Sequence, residues 1–264
     1  MTATVPNLDR RGPSMGGFNA TLLGLELRRM LRNKRTMMFA IGLPVIFYVI
    51  FGQTINAKDQ DLGPGTHGNV SAFIMISMAL YGACLATTSG GSMVSIERAQ
   101  GWSRQLRLTP LSPVAYVLTK AITAMALGGV SVLAVYVVGV LTGKAQMPLW
   151  AWVSTALVVW VGSLMFAVYG LFMGYLLPTE NVMQILSFTL VIYAFAGGLF
   201  LDLSTTAGWY QTLAKFTPLW GLNQLVHAPI LADFEWTALL NAMVWLALFG
   251  AGAVWRFRKD TARV

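Results

Sequence analysis

Cys84 is the only cysteine in this chain, so neither a disulfide framework nor a thiolate metal cluster can be built within one copy. Two histidines, His67 and His227, are too few for a histidine-rich metal site. Charge is also scarce, since 11% of the 264 residues are Asp, Glu, Lys or Arg, against roughly 25% in soluble proteins. Apolar residues make up 56%, and mean hydropathy is +0.64. A bilayer is the solvent that suits such a composition. No Ser/Pro linker or charge block divides the sequence, so residues 1–264 read as one domain.

The inventory of reactive groups is equally thin. Membrane hydrolases need a nucleophile with a base, or a metal motif such as HExxH, and neither pattern occurs. The run Gly139 to Lys144 (GVLTGK) superficially resembles a phosphate-binding loop. It is one residue short, lacks Ser/Thr after the lysine and falls at an outer span end, away from ATP. Apart from Lys120, no ionisable group is expected near a bilayer centre, which argues against the intramembrane Asp, Glu or His relay of a proton-coupled pump. The sequence therefore offers no catalytic, cofactor-binding or metal-binding residue. Any energy source must come from outside the chain.

Long charge-free runs fill the rest. About 20 apolar residues cross a bilayer as a helix, and six runs reach that length: about 36–55, 70–94, 114–142, 149–177, 181–201 and 236–255. Membrane strands need only 9–11 residues, so the expected fold is an all-α integral membrane protein. Lys120, near the start of the third run, is expected to snorkel to the headgroups. Fifteen of the eighteen Lys and Arg fall before the first run, between the second and third, or in the tail, while Lys58, Lys144 and Lys215 lie opposite. By the positive-inside rule both termini are cytoplasmic. The net charge of +8 is then topological, and nucleic acid is not expected as a partner. Trp150, Trp152, Trp209 and Trp236 mark outer span ends, and Trp102 and Trp255 inner ones.

Residues 1–18, with Pro6 and Pro13, read as a disordered tail. Within 19–35, Leu23, Leu27, Met30 and Leu31 share one helical face and Arg28, Arg29, Arg32 and Arg35 the other, which predicts an interfacial amphipathic helix or a charged anchor for the first span. Between the last two spans, Leu213, Phe216, Leu219 and Trp220 have helical spacing. Thr217-Pro218 and Ala228-Pro229 serve as breaks, so two short helices are expected on the outer membrane face.

Small residues suggest close contacts. Gly170 and Gly174 in the fourth run would let a helix approach, within the chain or from a second copy. Gly197-Gly198 predicts tight packing or a local break. Glu180 has the position of a helix-start carboxylate.

One polar interruption remains. Between the second and third runs the chain inserts ERAQGWSRQLRLTPLSP, residues 97–113. Trp102 and Leu106 stand one turn apart with Arg104 and Arg107 on another face, so a short helix ending before Pro110 would present apolar knobs and basic groups together. Such an element suits a cytoplasmic protein surface, and a solvated loop whose arginines enforce topology suits it equally.

At these residues the chain resembles the type 2 permeases of ABC exporters. Glu97-Arg98-x-x-Gly101, then Leu106-x-x-Thr109-Pro110, is similar to the family's E-R-x-x-G-T-x-x-x-L-x-x-T-P segment, with Trp102 where Thr is usual. Gly197-Gly198-Leu-Phe through Trp209, Leu213, Phe216, Pro218 and Leu219 resembles its fifth-span exit and outer helices, with departures at Asp202 and Thr217. The resemblance covers nearly the whole chain. It implies that Glu97, Arg98, Gly101, Trp102, Arg104, Leu106, Arg107, Leu108, Thr109 and Pro110 couple to an ATPase subunit, and that Gly197, Gly198, Trp209 and Pro218 belong to packing or an outer gate. Further implications are two ATP-binding subunits that carry ATP and Mg2+, a second permease chain, identical or homologous, and a bacterial plasma-membrane location. The expected activity is efflux of an amphipathic molecule such as an antibiotic, drug, lipid or polyketide. A membrane scaffold or sensor is the alternative, followed by a secondary transporter.

Overall fold

The computed structural model describes residues 20–54, 60–101, 113–178 and 180–262. The expected tail and most of the 97–113 interruption, including Trp102, Arg104, Leu106, Arg107, Leu108, Thr109 and Pro110, lie outside the described residues. Among those described, the architecture is all-helical, and the one β-type pairing is an isolated bridge between Asp61 and Asn69. The chain forms α1 (Ala20–Leu31), α2 (Lys34–Met37), a π-helical turn (Met38–Gly42), α3 (Leu43–Thr54), α4 (Val70–Ala99), α5 (Pro113–Thr142), α6 (Leu149–Gly162), α7 (Leu164–Leu176), α8 (Val182–Ala196), α9 (Gly208–Ala214), α10 (Pro218–Leu231) and α11 (Trp236–Ala262).

Among the described residues, four stretches are long and apolar enough to cross a membrane: Val70–Ala99, Leu118–Thr142, Leu149–Leu176 and Trp236–Arg256. Met38–Gly52 and Val182–Ala196 are apolar but shorter, so the six expected spans are not equivalent. The fifth was expected to reach residue 201 but ends at Ala196. Gly198 has φ +77°, a left-handed conformation that stops the helix and that glycine adopts readily. At its start, Glu180 precedes the cap residue Asn181 rather than lying in the first turn. The expected amino-terminal helix is also divided, since α1 ends at Leu31 and helix resumes only at Lys34.

α4 is the axis of the bundle. Of its most apolar stretch 83% is buried inside the protein, against 17% for α11. It packs most extensively on α5 and α7, and also on α3, α6, α8 and α10. Close approach to α7 depends on small residues. A Cβ on Gly170 would run into the backbone of Thr88, and one on Gly174 would stand 3.1 Å from Ser92. From the α4 side, Gly91 faces the backbone of Ala167 and Leu171 in the same way. Both Gly170 and Gly174 therefore turn toward this chain's own helix.

Several polar groups inside the bundle find local partners. Ser131 of α5 donates to the carbonyl of Ala40 at 2.7 Å, satisfying an acceptor of the π turn. Ser163 separates α6 from α7, yet its amide still bonds Val159 and its carbonyl accepts from Ala167, so the fourth span bends without breaking. At its amino-terminal end α4 is capped by Asn69, which accepts from Ala72 at 2.9 Å, accepts from the Gln146 amide at 3.0 Å and donates to the Lys144 carbonyl at 2.8 Å.

The segment between α8 and α11 differs from its expected place. α9 is largely exposed, with Trp209, Leu213 and Phe216 all outward. α10, by contrast, buries Leu219, Trp220, Leu222, Asn223, Val226, His227 and Ile230 and packs on α4, α6, α8 and α11, so it is part of the core rather than a helix lying on the outer face. Pro218 starts it, where a missing amide costs nothing. Pro229 does not break it. It falls in the last turn, where only the bond to the carbonyl four residues back is lost. α10 stops at Ala232, whose φ of +53° is the one positive value at a non-glycine among the described residues.

Candidate functional site at the carboxy-terminal end of α4

α4 ends where the interruption begins. The amides of Gln100 and Gly101 bond back to the carbonyls of Ile96 and Arg98, and Gly101, at φ +73°, turns the chain out of the helix. A glycine at that place has a direct structural reason. Glu97 and Arg98, in the turn before it, point to different neighbours.

Glu97 is 2% exposed. One carboxylate oxygen accepts from Lys120 of α5 at 2.5 Å and from Arg29 of α1 at 3.4 Å, and the other accepts from the Tyr116 hydroxyl at 2.6 Å. Lys120 is itself 4% exposed and reaches Glu26 of α1 at 2.9 Å. Its ammonium also lies 5.5 Å from the centre of the Tyr116 ring. The expectation that Lys120 snorkels to the headgroups is thus overturned, because two carboxylates inside the protein neutralise it and leave no reason to reach water. Arg29 is about half exposed, and its pairing is correspondingly weak.

Arg98 turns toward α7. It donates to the Tyr175 carbonyl at 2.9 Å and the Gly174 carbonyl at 3.5 Å, with its guanidinium 5.6 Å from the Tyr175 ring centre. These carbonyls belong to the last turn of α7, where backbone acceptors lack helical partners and a cation is favoured. The adjacent pair therefore ties the carboxy-terminal end of α4 to α1, α5 and α7 at once.

Sequence reasoning found Glu97, Arg98 and Gly101 but missed Lys120, Glu26, Arg29 and Tyr116 as their company. A usable signal was present. Glu26 is the one acid on a basic helix, and Lys120 the one cation in an apolar run, so each is the other's natural partner.

The outer candidates gather separately. Gly197 packs so tightly on α10 that a Cβ would stand 2.8 Å from the Trp220 amide nitrogen. Asn223 donates to the Gly198 carbonyl at 3.0 Å. Trp209 is 71% exposed, and Pro218 sits at the start of α10. His227 is wholly buried in α10 and stacks on Phe73 with ring centres 3.9 Å apart. Its Nδ1 lies 2.8 Å from the Asn223 carbonyl oxygen, and its Nε2 lies 3.2 Å from both Ser77 Oγ and the Phe73 carbonyl oxygen. No carboxylate takes part in these contacts, so the ring serves as a packed hydrogen-bonding wedge rather than an acid or base.

Residues 19–228 match the family described as ABC-2 type transporter. The chain is also similar to YvfS of Bacillus subtilis (strain 168), a protein that bears the name of a transport permease, with 24% identity over 230 residues, covering 85% of this chain and 90% of the relative.

Proposed function

Because this chain belongs to the ABC-2 type transporter family, we propose that it is the permease subunit of an ATP-driven exporter moving an amphipathic or hydrophobic substrate, such as an antibiotic, drug, lipid or polyketide, out of a bacterial cell. Family membership speaks for a transport role rather than an enzyme's, in a multi-pass membrane protein. In this reading two permease chains, identical or homologous, work with two ATP-binding subunits that hold ATP and Mg2+. The two shorter apolar helices complete six crossings with both termini cytoplasmic, aided by local thinning of the bilayer.

One observation carries the reading. α4, the most buried helix, runs straight into residues 102–112, and its last turn grips three other helices through Glu97 and Arg98. An energy source outside the chain needs a point of attachment from which force reaches the whole bundle, and this junction supplies one. The apolar outward surface, with little fixed charge, suits a hydrophobic cargo better than an ion.

The test is recovery of the chain from native membranes, followed by transport in inverted vesicles. A separate subunit bearing GxxxxGK[ST] should copurify, and ATP should drive substrate into the vesicles. Absence of ATPase activity from the complex sinks the proposal. Transport that collapses with the proton gradient and ignores ATP would instead establish a secondary transporter.

A further inference from the structure

The two limbs that flank residues 102–112 are tied to each other, and both are tied to α1. Glu97, before that segment, accepts from Tyr116 and Lys120 after it. Lys120 also holds Glu26, and Arg29 on the next turn of α1 reaches Glu97. Apolar contact reinforces the charges. Met30, one turn beyond Glu26, is buried with Ala40, Ala86 and Leu127, and its methyl stands so near Gly90 that a Cβ there would meet it at 2.8 Å.

The members are not equal. Arg29 is half exposed and exchanges its partner readily with water, whereas Lys120 and Glu97 are withdrawn from solvent and neither can leave without stranding a buried charge. Lys120 is the one side chain among them that joins α5 to both α4 and α1. Anything that pushes on residues 102–112 therefore moves the ends of α4 and α5 as a pair, and the ammonium conveys that displacement to α1. The opposite face of α1 carries Arg28 outward, and Arg32, just past its end, is exposed as well.

We propose that Lys120 is a positioning residue that makes α1 move as one body with the paired inner ends of α4 and α5, so that the amphipathic helix takes part in the ATP-driven stroke. This rests on the permease reading above. Joint motion means that α1 and α5 can be fastened together covalently without loss of function, and that unfastening them weakens coupling while hydrolysis continues.

The experiment uses the full chain with its ATP-binding subunits in vesicles and measures transport per ATP hydrolysed. Glu26→Cys/Lys120→Cys removes the ion pair, in a chain whose native Cys84 is buried. Unbridged, this variant should lose about fivefold or more of the wild-type ratio, the lower range of allosteric coupling. Joining the two thiols with a short bifunctional reagent should restore it. An unbridged variant with the wild-type ratio, or a bridged one that hydrolyses ATP without regaining transport, overturns the proposal. Should the double variant fail to insert, Glu26→Gln decides the matter, with a lowered ratio supporting the proposal and an unchanged one refuting it. A wild-type complex without ATP-driven transport would sink the permease reading alone. Amide hydrogen exchange in Lys120→Met would then decide the positioning role: faster exchange shared by α1 and the first turns of α5 supports it, and a change confined to α1 refutes it.

Discussion

The ammonium of Lys120 stands 2.5 Å from a carboxylate oxygen of Glu97, and both side chains are closed off from water. The pair bridges two membrane helices across 23 residues of sequence, at the point where the chain leaves the bundle. Removing one member leaves the other charged in a poor solvent. Lys120→Met should therefore destabilise the protein by about 3–5 kcal/mol. Arg29→Ala, at the half-exposed end of the same network, should cost no more than about 1 kcal/mol. Thermal unfolding of the two variants in detergent checks the contrast.

Gly170→Ala places a methyl against the Thr88 backbone, where neither helix can yield without separating from the other. A loss of about 1–3 kcal/mol is expected from such overpacking. Gly208→Ala, where nothing lies within 4 Å, is the control and should stay near wild type in the same melting assay.

Asn69→Ala deletes the side-chain cap on Ala72 and the two side-chain hydrogen bonds that join the start of α4 to the 144–146 loop. Loss of the cap alone should cost about 1 kcal/mol. Exchange of the Gln146 amide should rise well above that of the distant α7 amides, and equal protection in both would contradict the role.

His227 gives a pH dependence with a definite sign. It lies in α10, outside the expected spans, where burial pushes its pKa from 6.5 down to about 4. The unfolded ring binds a proton that the folded ring refuses. Stability is thus fully present above the unfolded value and is lost as pH falls from 6.5 toward 4, by up to about 3 kcal/mol. His227→Gln should flatten that slope, and a melting curve with the same pH dependence in both proteins would refute the assignment.

Within residues 102–112, Arg104→Glu and Leu106→Asp should leave insertion intact and uncouple hydrolysis from transport, since a reversed or misplaced charge at a docking surface costs affinity. Unchanged transport in both variants would count against a coupling role there.

Much of this architecture is legible in the residues. The start of α4 and both ends of α5 fall within a residue of the charge-free runs 70–94 and 114–142, whereas α4 runs past residue 94, through the charged Glu97 and Arg98, to Ala99. What escapes is whatever depends on a partner distant in sequence. Lys120 alone reads as a cation seeking the headgroups, and only Glu97 and Glu26, 23 and 94 residues away, reverse that. α10 escapes for the same reason. Its polar Asn223 and His227 make it look like a surface helix, but the Asn223 amide nitrogen donates to the Gly198 carbonyl and the His227 ring stacks on Phe73. Pro229 misleads because a proline's effect depends on how much helix follows it, and here two residues do.

Ala232 ends α10 in a backbone conformation its side chain resists. Nothing local dictates that stop, since no glycine or asparagine occupies the position. The amide of His67 instead fastens the carbonyl of Ile230 at 2.7 Å, from a loop more than 160 residues earlier in the chain. The length of α10 is therefore held from outside, and slackening of the His67 loop would free the helix to change where it ends. The last turn of α10 is a boundary the His67 loop can redraw, whereas the end of α4 has a glycine of its own at the turn in addition to its ties to neighbouring helices.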